Sequence, residues 1–146
     1  MVFVDSQGRL VTSTQYIAPV VSTVEAQKNA AKQTARIFIE RYGSYSTDNN
    51  QQNIKEIKDL VTVSLWQELS KRIGTKSSGD FLGVTTKVIA VRMDSWDTTA
   101  AKFSLSTMRK ETKNNKHSNV QQDATVSVEK SNGNWVVSKF EWGKTL

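Results

Sequence analysis

The side chains that could carry catalysis are few in this 146-residue sequence. It contains one histidine and no cysteine, which excludes a cysteine nucleophile, a thiolate metal site and a disulfide framework. His117 lies in a Lys/Asn-rich segment without a neighbouring base or nucleophile, so we expect an exposed loop residue. Zinc usually needs three or four nitrogen, sulfur or carboxylate ligands, and neither a phosphate-cradling glycine loop nor a GxSxG elbow is present. We therefore expect no metal and no cofactor.

Carboxylates and one tyrosine leave acid–base chemistry as an alternative. A sheet that curves over a helix can enclose a pocket, where a buried Asp or Tyr acts as a base or an oxyanion donor. The available residues are Asp59, Asp94, Asp97 and Tyr42. Asp94 and Asp97 fall in a predicted turn, and Asp59 lies at the end of a predicted helix, where carboxylates are usually solvated. We expect no catalytic residues.

Basic residues concentrate in one short segment. The net charge is +6, and residues 109–116 contain four basic residues (Arg109, Lys110, Lys113 and Lys116) against one acid, Glu111, so +3 of the total lies there. Two explanations stay open: a solvated hairpin end, or a surface for an anionic partner such as phospholipid headgroups, nucleic acid or an acidic protein.

The four tryptophans are candidates for core packing and for exposed contacts. Trp66 has the spacing of a core residue on a helix, and Trp135 and Trp142 are predicted on opposite faces of one strand. Core packing therefore accounts for Trp66 and for one of the strand pair. Trp96, in a predicted turn, and the other strand tryptophan are predicted as exposed contact residues.

A long amphipathic helix is predicted over residues 22–42. Ser22 and Glu25 have the spacing of a capping box, and Gly43 can adopt the left-handed conformation that ends a helix. One face of this helix repeats apolar residues at intervals of three and four, comprising Val24, Ala31, Ala35, Phe38, Ile39 and Tyr42.

The remaining elements follow in two groups. A β-like N-terminal arm with a turn at residues 5–8 precedes the helix, and two further helices follow it, one with Ile54, Ile57 and Leu60 and one that begins at Thr62 or Ser64. The apolar period then changes from 3.6 to 2, which predicts four antiparallel strands, and Asn132-Gly133 predicts a type I′ turn between the last two. This order predicts an α+β protein in which three helices pack on a curved four-stranded antiparallel sheet.

The sequence is long enough for one domain with a core, at 37% hydrophobic residues. We expect an N-terminal arm at residues 1–21 and a single domain at residues 22–146. No run reaches the roughly 18 apolar residues of a membrane helix.

The order of elements resembles the NTF2-like (cystatin-like) cone. Within that group, the Asp5-x-x-Gly8 turn between β-formers, followed by Pro19 and the capped helix, resembles the start of the periplasmic domain of VirB-eight-like (DotI/IcmL/TraM-type) inner-membrane components of type IV secretion and conjugation systems. The Thr62-x-x-x-Trp66-x-x-Leu69 segment is similar to the third helix of that family.

The resemblance implies a non-enzymatic assembly subunit. Such a protein is anchored in the inner membrane by a segment outside this sequence, has its domain in the periplasm, and binds itself and other channel subunits, without direct nucleic-acid binding. The contact residues are expected among Tyr45, Trp66, Trp96 and the basic segment at Arg109, Lys110, Lys113 and Lys116. Because the cone serves many functions, a small-molecule pocket protein of isomerase or lyase type and a domain that binds cell-envelope polymers stay open as alternatives.

Overall fold

The computed structural model describes residues 4–5, 9–10, 20–48, 51–73 and 82–145. Its helices are α1 (Val20–Tyr42), α2 (Gln52–Lys55) and α3 (Val63–Ser70), with a 3₁₀ turn at Lys58–Leu60 between the last two. Its strands are β1 (Val4–Asp5), β2 (Arg9–Leu10), β3 (Tyr45–Ser46), β4 (Leu82–Asp97), β5 (Ala100–Lys113), β6 (Lys116–Ser131) and β7 (Asn134–Thr145). The protein is α+β, as predicted.

The main sheet is curled, antiparallel and five-stranded, in the order β3-β4-β5-β6-β7. The predicted count of four strands was wrong, because the two-residue β3 follows α1 and pairs with the start of β4, Tyr45 opposite Val84. The helix count was also wrong: the predicted second helix is divided into the four-residue α2 and the separate 3₁₀ turn. Such short pieces carry too little periodicity for the sequence to separate them.

Helix α1 lies across the inner face of the sheet and contacts β4, β5, β6 and β7. Its predicted core face is confirmed at Ala31, Ala35, Phe38, Ile39 and Tyr42, all buried. The prediction failed at the N-terminal end, where Val24 is 39% exposed. The helix also begins at Val20, two residues before the predicted cap at Ser22.

Gly43 ends α1 for a reason other than the one predicted. The described glycine with a positive φ angle is Gly133, so Gly43 does not adopt the left-handed conformation. A Cβ at Gly43 would instead lie 2.7 Å from the carbonyl oxygen of Ile39 and 2.7 Å from Oγ1 of Thr86. Glycine is therefore required because the helix end packs directly against β4.

The segments after α1 close one side of the sheet. Thr62 is the N-cap of α3, and its Oγ1 accepts a hydrogen bond from the Leu65 amide at 3.2 Å, which confirms that prediction. The Thr62 amide donates to the carbonyl oxygen of Val137 at 2.9 Å, on the outer edge of β7. This contact covers part of an edge strand.

Register shifts bend the sheet, and one of these shifts overturns a prediction. The shift between Ser127 and Val128 of β6 changes which residues of β7 face inward. Trp135 and Trp142, predicted on opposite faces, consequently both turn inward: Trp135 is buried and Trp142 packs against the core. In β4, the predicted turn at residues 94–97 is strand, and the chain reverses after Asp97.

The predicted Asn132-Gly133 turn is confirmed, with φ angles of 51° and 83°. At the N-terminus, Val4 pairs with Leu10 in an antiparallel ladder, as expected for a short hairpin in the arm. Of the turn predicted at residues 5–8, Asp5 lies in β1, whereas residues 6–8 and Pro19 lie outside the described residues. Within the described part of the chain, no helix combines the length and apolar character needed to cross a bilayer.

Candidate functional site

Three aromatic rings pack together between α1 and the curled sheet, where a pocket protein would hold its ligand. Phe38 and Tyr42 stack with ring centroids 5.5 Å apart. Phe140 of β7 meets each of them edge-on, with both centroid distances 5.0 Å. Phe38 is completely buried and Tyr42 nearly so, so these side chains act as core.

The Tyr42 hydroxyl is not arranged as a catalytic base. It accepts a hydrogen bond of 2.6 Å from Nη1 of Arg72. Burial raises the pKa of Tyr42, and the opposing effect of the Arg72 charge is smaller. The phenol therefore remains neutral at physiological pH, and its role is to connect α1 with the end of α3.

Arg109 occupies a buried position beside the C-terminal end of α1, which corrects its predicted place in an exposed basic segment. Its exposed fraction is 9%. Its Nε donates to Oγ1 of Thr86 at 3.1 Å and its Nη1 to Oε1 of Gln122 at 2.8 Å. The burial follows from strand alternation, since Arg109 continues the inward series of Leu105 and Thr107 on β5.

The charge of Arg109 is compensated by dipoles and a ring. Its Nη2 lies 3.5 Å from the carbonyl oxygen of Gly43, at the negative end of the α1 dipole. Its guanidinium carbon lies 4.2 Å from the centroid of the Trp142 ring, a cation–π geometry. Among the described residues, no carboxylate forms an ion pair with Arg109. The number of basic residues in the segment 109–116 did not indicate that Arg109 is buried.

Asp94 and Asp97 are exposed carboxylates with strong hydrogen-bond donors. The Ser104 hydroxyl and then the Arg92 guanidinium lower the pKa of Asp94. The amide and hydroxyl of Thr99 lower the pKa of Asp97. Both carboxylates are therefore ionised at neutral pH, and their pKa values are shifted in the direction opposite to the raised pKa of a tuned catalytic acid or base. Asp59 is exposed, as predicted.

The basic segment forms the tip of the β5–β6 hairpin. Lys110, Lys113 and Lys116 are exposed, and none makes an ion pair with another described residue. The predicted loop around His117 was wrong: β5 and β6 are joined by the two-residue turn Asn114-Asn115, with φ angles of 51° and 65°. His117 is exposed, as expected, and its Nδ1 lies 2.9 Å from Oγ1 of Thr112.

Trp96 lies near the end of β4, opposite Ala101 of β5 and far from this tip. Its ring packs on Trp135 with centroids 5.4 Å apart, and Nζ of Lys28 lies 5.9 Å from its centroid. Oε1 of Gln27 accepts hydrogen bonds from the Trp135 indole at 3.1 Å and from Lys130 at 2.7 Å. This cluster is half-buried and held to α1, rather than exposed in a turn.

Of the remaining predicted contact residues, Tyr45 is half-buried on β3 and lies opposite Val84, which in turn lies opposite Glu111 near the hairpin tip. Trp66 is half-buried on α3 with Lys58 at 5.8 Å from its ring, and Val63 beside it is 74% exposed. The structure therefore does not gather the seven predicted contact residues into one site.

A shallow groove of about 460 Å³ lies on the sheet face opposite α1. Its lining is mixed: it includes apolar residues such as Ala90, Leu105 and Trp142, serines and a threonine, and the charged residues Arg92, Asp123 and Glu141. No group of three or more metal-ligating side chains occurs in the described ranges. The groove is open to solvent along one face of the sheet, unlike the enclosed pockets that bind small molecules.

Comparison with solved structures assigns the fold. The VirB8 protein of Agrobacterium tumefaciens matches 88% of this chain and 98% of its own length, at 15% identity and a TM-score of 0.57. A periplasmic fragment of TraM matches 80% of this chain and 97% of its own length, at 6% identity and a TM-score of 0.61. An IcmL-like protein of Legionella pneumophila and TrwG proteins of Bartonella are also matched. The predicted resemblance is confirmed: the chain has the VirB-eight-like fold found in type IV secretion and conjugation components.

The same fold occurs outside secretion systems. A scytalone dehydratase homologue of Novosphingobium aromaticivorans matches 87% of this chain and 91% of its own length, at 12% identity and a TM-score of 0.56. No protein-family model and no curated protein sequence matches the chain. At these identities the similarity shows the fold and does not determine the function.

Proposed function

We propose that the protein is a structural assembly subunit of a type IV secretion or conjugative transfer apparatus, acting without catalysis and through protein–protein contacts. The observation that carries this proposal is the fold shared with several such components over 80–91% of the chain. It is supported by an interior occupied by Phe38, Tyr42 and Phe140.

The proposal includes the location and the wider architecture. We assign the curled sheet and its helices to the NTF2-like cone, with an arm at residues 1–21 and one domain at residues 22–146. The domain is periplasmic and is held at the inner membrane by an anchor outside this sequence. Its partners are a second copy of itself and other channel subunits, contacted through Tyr45, Trp66, Trp96 and the lysines of the β5–β6 tip. Arg109 is left out of this contact set because it is buried.

The dehydratase-like neighbour defines the competing proposal, an isomerase or lyase. A hydratase-type pocket requires a desolvated acid or base. Here Asp94 and Asp97 are exposed with lowered pKa values, and Tyr42 is tied to Arg72. These features favour assembly over catalysis.

A complementation experiment in the native host tests the proposal. The gene is deleted in donor cells, and the transfer frequency of a mobilisable DNA is measured with the wild-type gene or variants returned. We expect transfer to fall by orders of magnitude on deletion and to return fully with wild type. The variants Asp59→Asn, Asp94→Asn and Asp97→Asn should also restore transfer, because no step uses these acids.

Two tagged copies expressed together test self-association in the same cells. We expect one tag to recover the other from detergent-extracted membranes, and a phosphatase fused to the C-terminus to be active in the periplasm. Normal transfer in the deletion strain, or loss of transfer in the carboxylate variants with normal protein levels, would contradict the assembly role.

A further inference from the structure

Helix α3 buries one face and leaves another in contact with solvent. Leu65 and Leu69 are buried against the core. Positions 63, 66, 67 and 70 follow the spacing i, i+3, i+4 and i+7, which places their side chains on one side of a helix. These four uncharged residues are Val63, Trp66, Gln67 and Ser70, and we name them the α3 stripe.

The α3 stripe contains the most exposed large hydrophobic side chain in the described part of the chain. Val63 is 74% exposed, compared with 55% for Ile89 and 39% for Val24. Trp66, one turn further along, is half-buried, and residues at i and i+3 lie side by side on a helix. A tryptophan beside an exposed aliphatic side chain is typical of the centre of a protein–protein contact.

The charge around the α3 stripe makes a second copy of this chain a compatible partner. The whole chain carries +6, so two copies repel each other. Residues 52–71 do not contribute to this charge, because their three basic and three acidic residues cancel: Lys55, Lys58, Lys71, Glu56, Asp59 and Glu68. Arg72 follows them, but its Nη1 donates to the Tyr42 hydroxyl at 2.6 Å. Two copies that meet through α3 therefore keep their excess positive charge away from the contact.

The charges at the two ends of α3 favour an antiparallel arrangement. Lys58, which lies over Trp66, and Asp59 precede the helix, and Glu68 and Lys71 lie at its C-terminal end. All four are exposed and form no ion pair within the described residues. A two-fold axis across the stripe brings the N-terminal end of each helix beside the C-terminal end of the other, so acids and bases of the two copies meet at both ends. The two helix dipoles are then also oppositely directed, which is favourable.

We propose that the α3 stripe is a contact between two copies of this chain, packed antiparallel about a two-fold axis that passes next to Trp66 and Gln67. This inference rests on the proposed assembly role and assigns a surface and an orientation to self-association. Each α3 has eight residues and is about 12 Å long, so the contact is smaller than a standard interface of about 1,600 Å². Free domains should therefore associate weakly, and anchored copies more strongly, because their local concentration is higher.

Cysteine cross-linking of the purified protein tests the position of the contact. The sequence contains no cysteine, so one introduced thiol reports on one position. A mild oxidant should convert Gln67→Cys to a covalent dimer, because the two thiols meet near the axis. Gln33→Cys, the same substitution at an exposed position of α1, is the control. It should cross-link at least about tenfold more slowly, because a disulfide needs Cα atoms within about 7 Å of each other.

Sedimentation equilibrium at protein concentrations up to millimolar measures the association itself. Val63→Glu should lower the association constant at least about tenfold, because it places a carboxylate in the desolvated centre of the contact. Since Val63 is exposed, this variant should keep its fold, which amide NMR signals verify. Val24→Glu, at an exposed position of α1, is the matched control and should associate as wild type.

A charge swap tests the orientation of the two helices. The double variant Asp59→Lys with Lys71→Asp gives the N-terminal end of α3 two bases and the C-terminal end two acids. In an antiparallel pair these ends attract each other, so the double variant should associate more tightly than wild type, and raised salt should reduce the gain. In a parallel pair the like ends would repel each other, and association would weaken.

Three results would overturn the proposal: equal cross-linking rates for Gln67→Cys and Gln33→Cys, unchanged association of Val63→Glu, or weaker association of the charge-swapped variant. Persistent self-association of Val63→Glu in host cells would also overturn it, since the copies would then meet through another surface. The assembly role would still stand in that case, because the transfer frequency of the deletion strain decides it independently.

Discussion

Arg109 shows how a cation is accommodated in the interior without a carboxylate. Burying a charge is costly unless hydrogen bonds and dipoles replace water. Here Thr86, Gln122 and the carbonyl end of α1 provide acceptors, and Trp142 provides a ring face. Gln122 in turn donates through Nε2 to the carbonyl oxygen of Gly143 at 3.1 Å. The arginine therefore joins the end of α1 to strands β4, β6 and β7.

Replacing Arg109 should destabilise the protein strongly. We expect Arg109→Met to lower the free energy of unfolding by about 2–4 kcal/mol, because charge-assisted hydrogen bonds are lost and Gln122 loses its donor. Lys102→Met, an exposed position on the same strand, should change it by less than about 0.5 kcal/mol. Urea denaturation measures both, and equal effects would refute the structural role of Arg109.

The hydrogen bonds to the exposed Asp94 carboxylate should be detectable as a lowered pKa. Its pKa is lowered by Ser104 and Arg92, so its contribution to stability is present above the unfolded pKa, about 3.9 for Asp. That contribution is lost as the pH falls through the lower folded pKa. Carboxyl NMR should give Asp94 a pKa below 3.9, and the stability difference between wild type and Asp94→Ala should shrink towards pH 2. A raised pKa would instead revive the acid–base alternative.

At the residue scale, the sequence predicted features that depend on neighbouring residues and missed those that depend on distant ones. Thr62 and the Asn132-Gly133 pair were recognisable because each acts on the backbone next to it. Arg109 was misplaced because its environment comes from β4, β6 and α1, distant in sequence. The Asn114-Asn115 turn had a usable signal, since asparagine tolerates positive φ angles, but the lysines around it favoured a loop.

At the level of elements, the free side of β4 is protected by the helix it packs against. Oε2 of Glu40 accepts the Val88 amide at 2.9 Å, and Oγ of Ser44 accepts the Thr86 amide at 2.9 Å. Beyond these residues, the register shifts of β4 interrupt the edge. Side chains from α1 and the residues that follow it thus continue the hydrogen bonding that the two-residue β3 begins.

Removing one of these acceptors should leave an amide of the β4 edge without a hydrogen bond. Glu40→Ala should lower the free energy of unfolding by about 1–2 kcal/mol, because the part-buried Val88 amide loses its acceptor. Arg36, 3.8 Å from Glu40 on the helix surface, provides the control: Arg36→Ala should cost less than about 0.5 kcal/mol. Hydrogen exchange should accelerate at Val88 in the first variant alone, and unchanged exchange there would contradict this role of Glu40.

Element types were predictable and their exact pairing was not. Ala101, Phe103 and Leu105 alternate inward as their period indicates. The shift at Ser127–Val128 has no local sequence signal, yet it turns Trp142 to the core and supplies the ring under Arg109. β3 was missed because two residues are too few to show a period.

At the scale of the whole molecule, the fold alone does not determine the function, so function is inferred from the residues inside it. The same fold serves a scytalone dehydratase homologue and type IV secretion components, so the backbone does not distinguish them. The packing of Phe38, Tyr42 and Phe140 in the interior and the exposure of Asp94 and Asp97 support the proposed assembly role. Sequence patterns indicated the fold, whereas the packing of the three rings became visible only in three dimensions.

The position of α1 at the front of the chain also has a consequence for how the protein is made. Synthesis proceeds from the N-terminus, so the apolar face of this helix emerges before the strands that cover it, which begin at Leu82. From β4 to β7, each strand pairs with the next one in sequence, so the meander can form through short-range contacts before α1 packs on it. Docking of α1 is then the late, long-range event. Until it occurs, Phe38 and Ile39 are exposed to solvent and to chaperones, which makes this helix the aggregation-prone segment of a newly made chain.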